Sequence, residues 1–216
     1  MTSPLTVHIF FDYVCPWCYV TDLALERLAR DYPLTLIPKA FPLWANGMSH
    51  LTPEENEALR IRTHAADMHA VAAAREWLGV EGMSLGPWGV NTLDAHTGAK
   101  FAAARGRLQD YQRVMFDAQF HRDLRLDSRG TLSLLAAEAG LPSAEFLSAL
   151  DADEYRRAAL TDLMQAAQLG ITGVPALIIA NRYLLVGARP PQTLAEVIEQ
   201  ALTANNENVK GNAPEQ

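Results

Sequence analysis

The chain of 216 residues contains two cysteines, and both lie in the segment Cys15-Pro16-Trp17-Cys18. Two thiols at this spacing can form and open an internal disulfide by way of a mixed disulfide with a substrate. Pro16 suits the first turn of a helix, so Cys15 is predicted to lie at a helix N-terminus, where unpaired N–H groups stabilise a thiolate. We therefore expect Cys15 to attack the substrate and the more buried Cys18 to resolve the mixed disulfide.

Two other roles for the cysteine pair are a pair of inert buried thiols and half of a metal site. An inert pair directly after a predicted parallel strand is the less expected pattern. A zinc site would need further ligands, and the sequence has no second cysteine pair, so we expect no metal. A single redox pair also has no internal partner that could receive its disulfide. We therefore expect no tightly bound cofactor, and a reducing partner that is an external thiol such as glutathione or a thioredoxin-type reductant.

The residues around the pair predict a β-α-β unit over about residues 5–41. An apolar run from Val7 to Phe11 is typical of a strand buried on both faces of a sheet. Helical spacing of apolar residues follows and ends before Pro33. A second strand, Leu34 to Ile37, precedes Pro38, and it belongs at the sheet edge because proline cannot donate to a ladder. The cysteine pair thus lies at the first strand-to-helix junction.

The middle of the chain is rich in Ala, Leu and Arg and predicts a helical block. Thr52 and Glu55 have the spacing of a capping box and mark one helix start. Apolar residues alternate at three- and four-residue spacing between Phe101 and Met115, which predicts one long helix. Two shorter helices follow, the first ended by Gly140 and the second capped by Ser143.

The C-terminal third returns to strands after a helix from Asp153 to Leu169. Ala176 to Ile179 and Tyr183 to Val186 are predicted strands, and the two-residue link Asn181-Arg182 predicts a hairpin. A last helix opens at Pro190.

Gly173-Val174-Pro175, directly before the third predicted strand, is the second motif with functional meaning. A cis bond at Pro175 would expose the backbone groups of Val174 for pairing with an extended peptide. Alone, the tripeptide is equally typical of an ordinary turn that begins a strand. Together with a Cys-x-x-Cys segment at the first strand-to-helix junction, it becomes a specific signal.

Further segments accompany these two motifs: Asp12-Tyr13-Val14, Asn91-Thr92, Ala95-His96 and Gly187-Ala188. With them, the chain resembles the DsbA family over about residues 5–203, and in particular its FrnE-like branch of thiol oxidoreductases. The resemblance implies an α/β protein, a thioredoxin fold with an inserted all-helical subdomain. It also implies that Cys15 and Cys18 are redox-active, that Pro175 is a cis-proline facing them, and that Val174 contacts the substrate.

The length of the chain exceeds that of a bare thioredoxin unit. On the family pattern, residues 1–45 and 153–203 form the thioredoxin-like domain, residues 46–152 the inserted helical subdomain, and residues 204–216 a flexible tail. We expect the insertion to shape the substrate cleft.

Three further side chains are candidates for substrate contact. Trp17 is expected to be exposed beside Cys15 and to contact apolar substrate. His96 and Asn91 are suggested by the resemblance, but His96 fits a packing histidine equally well, and Asn91 fits a cap for a helix beginning near Thr92.

The group that removes the proton of Cys18 is left open by the sequence. Six positions before Cys15, where the thioredoxin-type relatives carry a buried acid, this chain has Ile9. Proton removal must then use water, Cys15 or some other group. Asp12 is nearer in sequence, but its position favours a residue that simply ends the strand.

The composition excludes several classes of partner. There are 18 Lys and Arg residues against 25 Asp and Glu, a net charge of −7, which argues against binding to nucleic acid. No apolar run approaches the roughly 20 residues that span a bilayer, so we expect no membrane association. No Lys or Arg precedes Arg27, as a secretory signal would require, so we expect a cytoplasmic protein, where the reductase or isomerase direction is favoured.

The leading hypothesis is a thiol–disulfide oxidoreductase or isomerase that acts on disulfide-containing proteins or peptides, or on small-molecule disulfides. One alternative is a glutathione-dependent enzyme similar to kappa-class transferases and 2-hydroxychromene-2-carboxylate isomerases, which typically carry serine at the position of Cys15. A second alternative is a non-catalytic peptide-binding or chaperone-like module. The sequence leaves the oligomeric state open.

Overall fold

The computed structural model describes residues 4–45 and 51–211. A four-stranded sheet forms from the two ends of the chain, and a series of helices lies between its second and third strands. The elements are β1 (Leu5–Phe11), α1 (Pro16–Asp31), β2 (Leu34–Ala40), α2 (Pro53–Leu78), α3 (Leu93–Ala104), α4 (Leu108–Phe120), α5 (Arg129–Glu138), α6 (Ser143–Asp151), α7 (Asp153–Gln168), β3 (Ala176–Ile179), β4 (Tyr183–Val186) and α8 (Pro191–Gly211).

The sheet has the strand order β2-β1-β3-β4. β1 pairs with β2 in parallel and with β3 in antiparallel orientation, and β3 and β4 form an antiparallel hairpin. β2 lies at the edge, as the proline argument predicted, and it continues through Pro38 to Ala40 because an edge strand has a side that needs no ladder donor. The α/β fold class is confirmed.

The single long helix predicted across Phe101 and Met115 is wrong, because the structure has two helices there, α3 and α4. Gly106 adopts a left-handed conformation with φ 68°, and the Arg107 N–H donates to the Ala102 carbonyl at 2.8 Å, which closes α3. The apolar spacing continues across the break, so periodicity alone could not reveal it.

The structure also differs from the sequence-based prediction at one helix cap and at one turn. Ser143 is the first residue of α6 rather than its cap, and its hydroxyl donates to the Ser133 carbonyl at 3.4 Å. The hairpin link has three residues, and Ala180 and Asn181 both adopt φ 55°. The predicted capping box of Thr52 and Glu55 is confirmed at the start of α2.

The last helix is longer than predicted. α8 continues to Gly211, whereas the polar composition after Thr203 predicted a tail. Residues 212–216 of that tail lie outside the described part of the chain. None of the helices in the described ranges combines the length and the apolar character needed to cross a membrane.

The largest cluster of buried side chains joins the sheet to the inserted helices. It includes Val7 of β1 and Leu25 of α1 together with Phe116 of α4 and Phe146 of α6. The rings of Phe11 and Phe116 lie 5.9 Å apart, centroid to centroid. The end of β1, from which the cysteine segment departs, is therefore packed directly against the helical block.

Candidate active site

Cys15 is the N-cap residue of α1. Its backbone is extended, with φ −89° and ψ 111°, and Pro16 follows at the first helical position. The Cys15 sulfur accepts a hydrogen bond from the Cys18 N–H at 3.3 Å, so it occupies the place of a capping oxygen. A negative charge on this sulfur would be stabilised by the same N–H group and by the dipole of α1.

Cys18 lies one turn further along and is more enclosed. Cys15 is 7% exposed and Cys18 is 2% exposed, and both are free thiols. Burial raises the pKa of the Cys18 thiol well above its ordinary value, and the adjacent Cys15 sulfur raises it further. A backbone hydrogen bond from Asp12 acts in the opposite direction. Cys18 therefore keeps its proton until a resolving step requires its removal.

The Gly-Val-Pro motif lies against the cysteine segment, although Val174 follows Cys15 by 159 positions in the sequence. The Val174–Pro175 peptide bond is cis, and the Cys15 thiol donates to the Val174 carbonyl oxygen at 3.7 Å. Pro175 is buried and Val174 is partly buried, and the Pro175 carbonyl accepts a hydrogen bond from the Gly187 N–H at 2.8 Å. The two motifs that the sequence singled out thus form one site.

A cleft of about 280 Å³ opens beside Cys15. One wall is aromatic, with the rings of Trp44 and Trp88 in an edge contact at 5.5 Å. Residues of α2, among them His64 and Asp67, also line the cleft. The pKa of Asp67 is raised by burial, and the charge of His64 partly offsets the shift. The cleft therefore offers both apolar and polar groups beside the nucleophile.

Trp17 does not have the exposed position that the sequence predicted. It is partly buried, its ring lies 6.1 Å from that of Trp77, and its indole N–H donates to the Ala66 carbonyl at 3.2 Å. Both partners belong to α2, which the local sequence around Cys15 could not reveal. Trp17 attaches α1 to α2 and is not among the residues that line the cleft.

Asn91 and His96 have partners within the protein. The Asn91 side chain accepts from the Leu93 N–H and donates to the Ala45 carbonyl, both at 3.0 Å, so it holds the start of α3. His96 is 1% exposed, and its Nε2 lies 3.2 Å from Asp12 Oδ1. Neither side chain lines the cleft, so this geometry favours the packing and capping interpretations over substrate contact.

Asp12 is the residue whose importance the sequence analysis missed. It ends β1 as expected, but its fully buried carboxylate also joins three parts of the chain. Oδ1 accepts from the Thr92 hydroxyl at 2.6 Å and contacts His96, and Oδ2 accepts from the Leu43 N–H at 2.7 Å. Thr92 and His96 are four apart and so share a helix face, which was the available signal.

Three features define a thioredoxin fold with helices inserted between β2 and α7. They are the order of the strands in the sheet, the cysteine segment at the start of α1, and the loop with the cis Val174–Pro175 bond, which lies against that segment. The family model described as "DSBA-like thioredoxin domain" matches residues 6–199. The chain belongs to this family.

A relative from Bacillus subtilis (strain 168), described as uncharacterized protein YwbO, is 29% identical over 208 residues, which cover 92% of this chain and 97% of the relative. The probable DsbA oxidoreductase SCO1869 of Streptomyces coelicolor is 24% identical, with a TM-score of 0.73, and the match covers 98% of this chain and 92% of that one.

Two other solved structures share the fold. A 2-hydroxychromene-2-carboxylate isomerase is 18% identical, with a TM-score of 0.74 and coverage of 96% of this chain and 100% of that one. The cytosolic disulfide reductase DsbM of Pseudomonas aeruginosa with GSH is 16% identical, with a TM-score of 0.64 and coverage of 95% and 99%. At these identities the likeness concerns the fold alone.

Proposed function

We propose that this chain is a thiol–disulfide oxidoreductase that acts on disulfides of proteins, peptides or small molecules. The observation that carries the proposal is the Cys15 sulfur, which caps α1, borders an open cleft and has the buried Cys18 thiol one turn behind it. Family membership supports a redox or isomerase enzyme in general. The proposed assignment to the FrnE-like branch rests on the sequence motifs.

The proposed reaction has two steps. The Cys15 thiolate attacks one sulfur of the substrate disulfide, a bond forms between Cys15 and that sulfur, and the other substrate sulfur leaves as a thiolate. The Cys18 thiolate then attacks Cys15, the internal disulfide forms, and the second substrate sulfur leaves. Two electrons pass from the protein to the substrate. An external thiol must then reduce the Cys15–Cys18 disulfide before the next turnover.

We also propose that Val174 and Pro175 contact the substrate next to the reacting sulfur. The Val174 carbonyl already lies against the Cys15 thiol, where a bound disulfide would replace that hydrogen bond. An extended peptide could pair with the backbone of Val174 while a side chain enters the cleft by Trp44 and Trp88.

The direction of the reaction depends on the reduction potential of the pair. Dithiol proteins range from about −120 to about −270 mV, which corresponds to roughly 7 kcal/mol and is enough to reverse the net direction. We propose the reductase direction in the cytoplasm, with glutathione or a thioredoxin-type protein as the reductant. The shared fold of the solved structure described as a cytosolic disulfide reductase with GSH supports this proposal.

Reduction of insulin in a glutathione buffer tests the proposal. We expect the wild-type chain to accelerate the reaction and Cys15→Ser to give the uncatalysed rate. The melting temperature of the variant serves as the folding control. A wild-type rate no higher than that of Cys15→Ser would sink the oxidoreductase proposal.

The shared fold of the 2-hydroxychromene-2-carboxylate isomerase supports a second candidate, a glutathione-dependent isomerase or transferase. In that case glutathione would bind as a ligand and would need neither thiol of the protein. Calorimetry with reduced glutathione on the Cys15→Ser/Cys18→Ser double variant separates the two functions. Tight binding that survives the loss of both thiols favours the second candidate.

A further inference from the structure

A second cavity lies between the edge strand β2 and helix α3. Its volume is about 310 Å³, it is partly open, and its lining shares no residue with the cleft beside Cys15. Small-molecule sites in proteins are concave and mostly apolar, with a few polar groups, and begin at about this volume. The cavity therefore has the size of a site for a small molecule.

Most of the side chains around this cavity are apolar. Phe11 of β1 is 3% exposed, but four other apolar residues of the lining are only partly buried: Leu36, Ile37, Pro38 and Leu108. Removing apolar surface from water is favourable, so a ligand that covers these side chains is stabilised by the contact. The cavity thus favours a ligand with an apolar body.

Lys100 of α3 supplies a positive charge at the cavity. Its ammonium group forms an ion pair with Asp162 of α7, but Lys39 Nζ also lies 3.0 Å from Asp162 Oδ1. The Ala40 N–H donates to Oδ2 of the same carboxylate at 2.9 Å. In the described part of the chain neither lysine has another salt bridge, so two ammonium groups share one carboxylate. One positive charge is left over, and Lys100 is the lysine that lines the cavity.

His96 is the second polar side chain of the lining, and it already has a partner. Its Nε2 lies 3.2 Å from Asp12 Oδ1, and its ring lies 5.0 Å from that of Phe11, centroid to centroid. Asp12 does not line the cavity, and the lining residues include no carboxylate that would repel an anion. Lys100 therefore determines the sign of the charge that a ligand would carry here.

We propose that the cavity between β2 and α3 is a binding site for a free amphipathic monocarboxylate, such as a medium-chain fatty acid. The carboxylate pairs with Lys100, and the apolar chain covers Phe11, Leu36 and Leu108. One charged head and one apolar body match a lining with one cation among mostly apolar side chains. This site lies apart from the proposed thiol chemistry and needs neither cysteine.

Titration of the full chain with octanoate in a calorimeter tests the site. We expect saturable binding of one octanoate per chain, with an affinity that falls as salt is added, because the Lys100 side chain is partly exposed. Acetate has the carboxylate without the chain, and octylammonium has the chain with the opposite charge, so neither should bind. No saturable binding at millimolar octanoate, or equally tight binding of octylammonium, would overturn the proposal.

Substitutions in α3 locate the bound molecule. Ala99→Leu enlarges a side chain of the lining and should weaken binding by about tenfold or more. Ala104→Leu makes the same change at an exposed position outside the lining and should leave the affinity unchanged. Equal losses in these two variants would contradict the placement in the cavity. Melting temperatures serve as the folding control.

Lys100 variants test the charge independently, also if Ala99→Leu fails to fold. Lys100→Met should weaken octanoate binding by about tenfold, and Lys100→Arg should restore it. Asp162 keeps its ion pair with Lys39 in both variants, so the buried carboxylate is not left without a partner. Arg105→Met removes a cation of the same region that does not line the cavity, and it should bind octanoate as the wild type does. Wild-type affinity in Lys100→Met would overturn the proposal.

The cleft beside Cys15 also has apolar and cationic side chains, among them Trp88 and Arg60, and must be distinguished from the cavity. Rapid mixing of the reduced protein with dithiobis(nitrobenzoate) reports attack by Cys15 through the release of nitrothiobenzoate. We expect octanoate to leave this rate unchanged. Octanoate that slows the attack to the same extent in the wild type and in Ala99→Leu would be bound in the cleft, and the cavity would not be its site.

Discussion

The two cysteines lie one helical turn apart, yet the structures around them are built in different ways. The Cys15 sulfur contacts backbone groups, the Cys18 N–H and the Val174 carbonyl, beside an open cleft. Behind the cysteine segment, at the end of β1, the contacts are instead between side chains, with the Asp12 carboxylate joined to Thr92 and His96 of the helical block. Backbone contacts survive most substitutions, whereas side-chain contacts depend on residue identity. Substitutions should therefore affect the two sides differently.

The largest effect is expected from the buried side, in Cys18→Ser. Cys15 can still attack, but the mixed disulfide cannot be resolved, so turnover should fall by roughly 100-fold or more. Mass spectrometry after incubation with a disulfide peptide should show one covalent adduct per chain. Cys15→Ser is the control and should show none. Turnover of Cys18→Ser at the wild-type rate would mean that Cys18 does not resolve the intermediate.

The next effect concerns the helix that brings His96 and Thr92 to the buried side. A Cβ at Gly98 of α3 would lie 2.6 Å from a ring carbon of Phe146, with the Tyr111 hydroxyl also too close. Gly98→Ala should therefore lower the free energy of unfolding by about 1–3 kcal/mol, since α3 must shift. Urea denaturation measures the change.

The matched control for this substitution is Gly130→Ala in α5. A Cβ there would meet only the Ser128 Oγ atom at 3.8 Å, so the added methyl group fits. Alanine is the better helix former, and a gain of roughly 0.5–1 kcal/mol is expected. If both variants lost the same stability, close packing of α3 would not be what positions the buried side.

The open side could be predicted well from the sequence, and the buried side could not. A helix start, a proline at its first position and a second short motif are local patterns, so the sequence alone could suggest roles for Cys15, Cys18 and Pro175. The strands and most helices also followed from local periodicity.

The contacts of Asp12, Trp17 and His96 depend on segments 31 to 84 positions away. The sequence holds the polar residues but not the pairing between distant segments, which is set by how α2 packs against α1 and how α3 packs against the end of β1. The break at Gly106 was missed for a related reason, since apolar periodicity continues through it.

Asp22 lies on α1 after the two cysteines, and its ionisation reports whether the helix is also buried at that position. Burial raises its pKa from the ordinary 3.8 to about 8, and the charge of Glu26 adds to the shift. Between about pH 4 and about pH 8, the Asp22 carboxyl is protonated in the folded chain and ionised in the unfolded chain. The contribution of Asp22 to stability therefore falls as pH rises through this range. Asp22→Asn removes this dependence and should be more stable than wild type at pH 8.

Because the Asp22 side chain keeps partial solvent contact, we expect a gain of about 1–2 kcal/mol at pH 8 and little at pH 4. Melting temperatures at the two pH values measure it. Glu76→Gln removes an exposed charge and controls for net charge alone. An equal gain at both pH values, or the same gain in Glu76→Gln, would show that Asp22 is not buried as a neutral acid.

The smallest effect is expected from Trp17→Phe, on the open side. The variant loses the hydrogen bond to the Ala66 carbonyl but keeps an aromatic ring against Trp77, so it should lose about 0.5–1.5 kcal/mol of stability. The rate of attack by Cys15 should change by less than about threefold, because the contacts of its sulfur are backbone groups that the substitution leaves in place.

Trp88→Phe, which loses an indole hydrogen bond to Asn56 at the cleft, is the comparison for a residue that lines the binding site. A tenfold slower attack in Trp17→Phe would mean that α2 holds Cys15 in position through the Trp17 side chain. In that case backbone contacts alone would not position the Cys15 sulfur, and the contrast between the two sides of the site would be wrong.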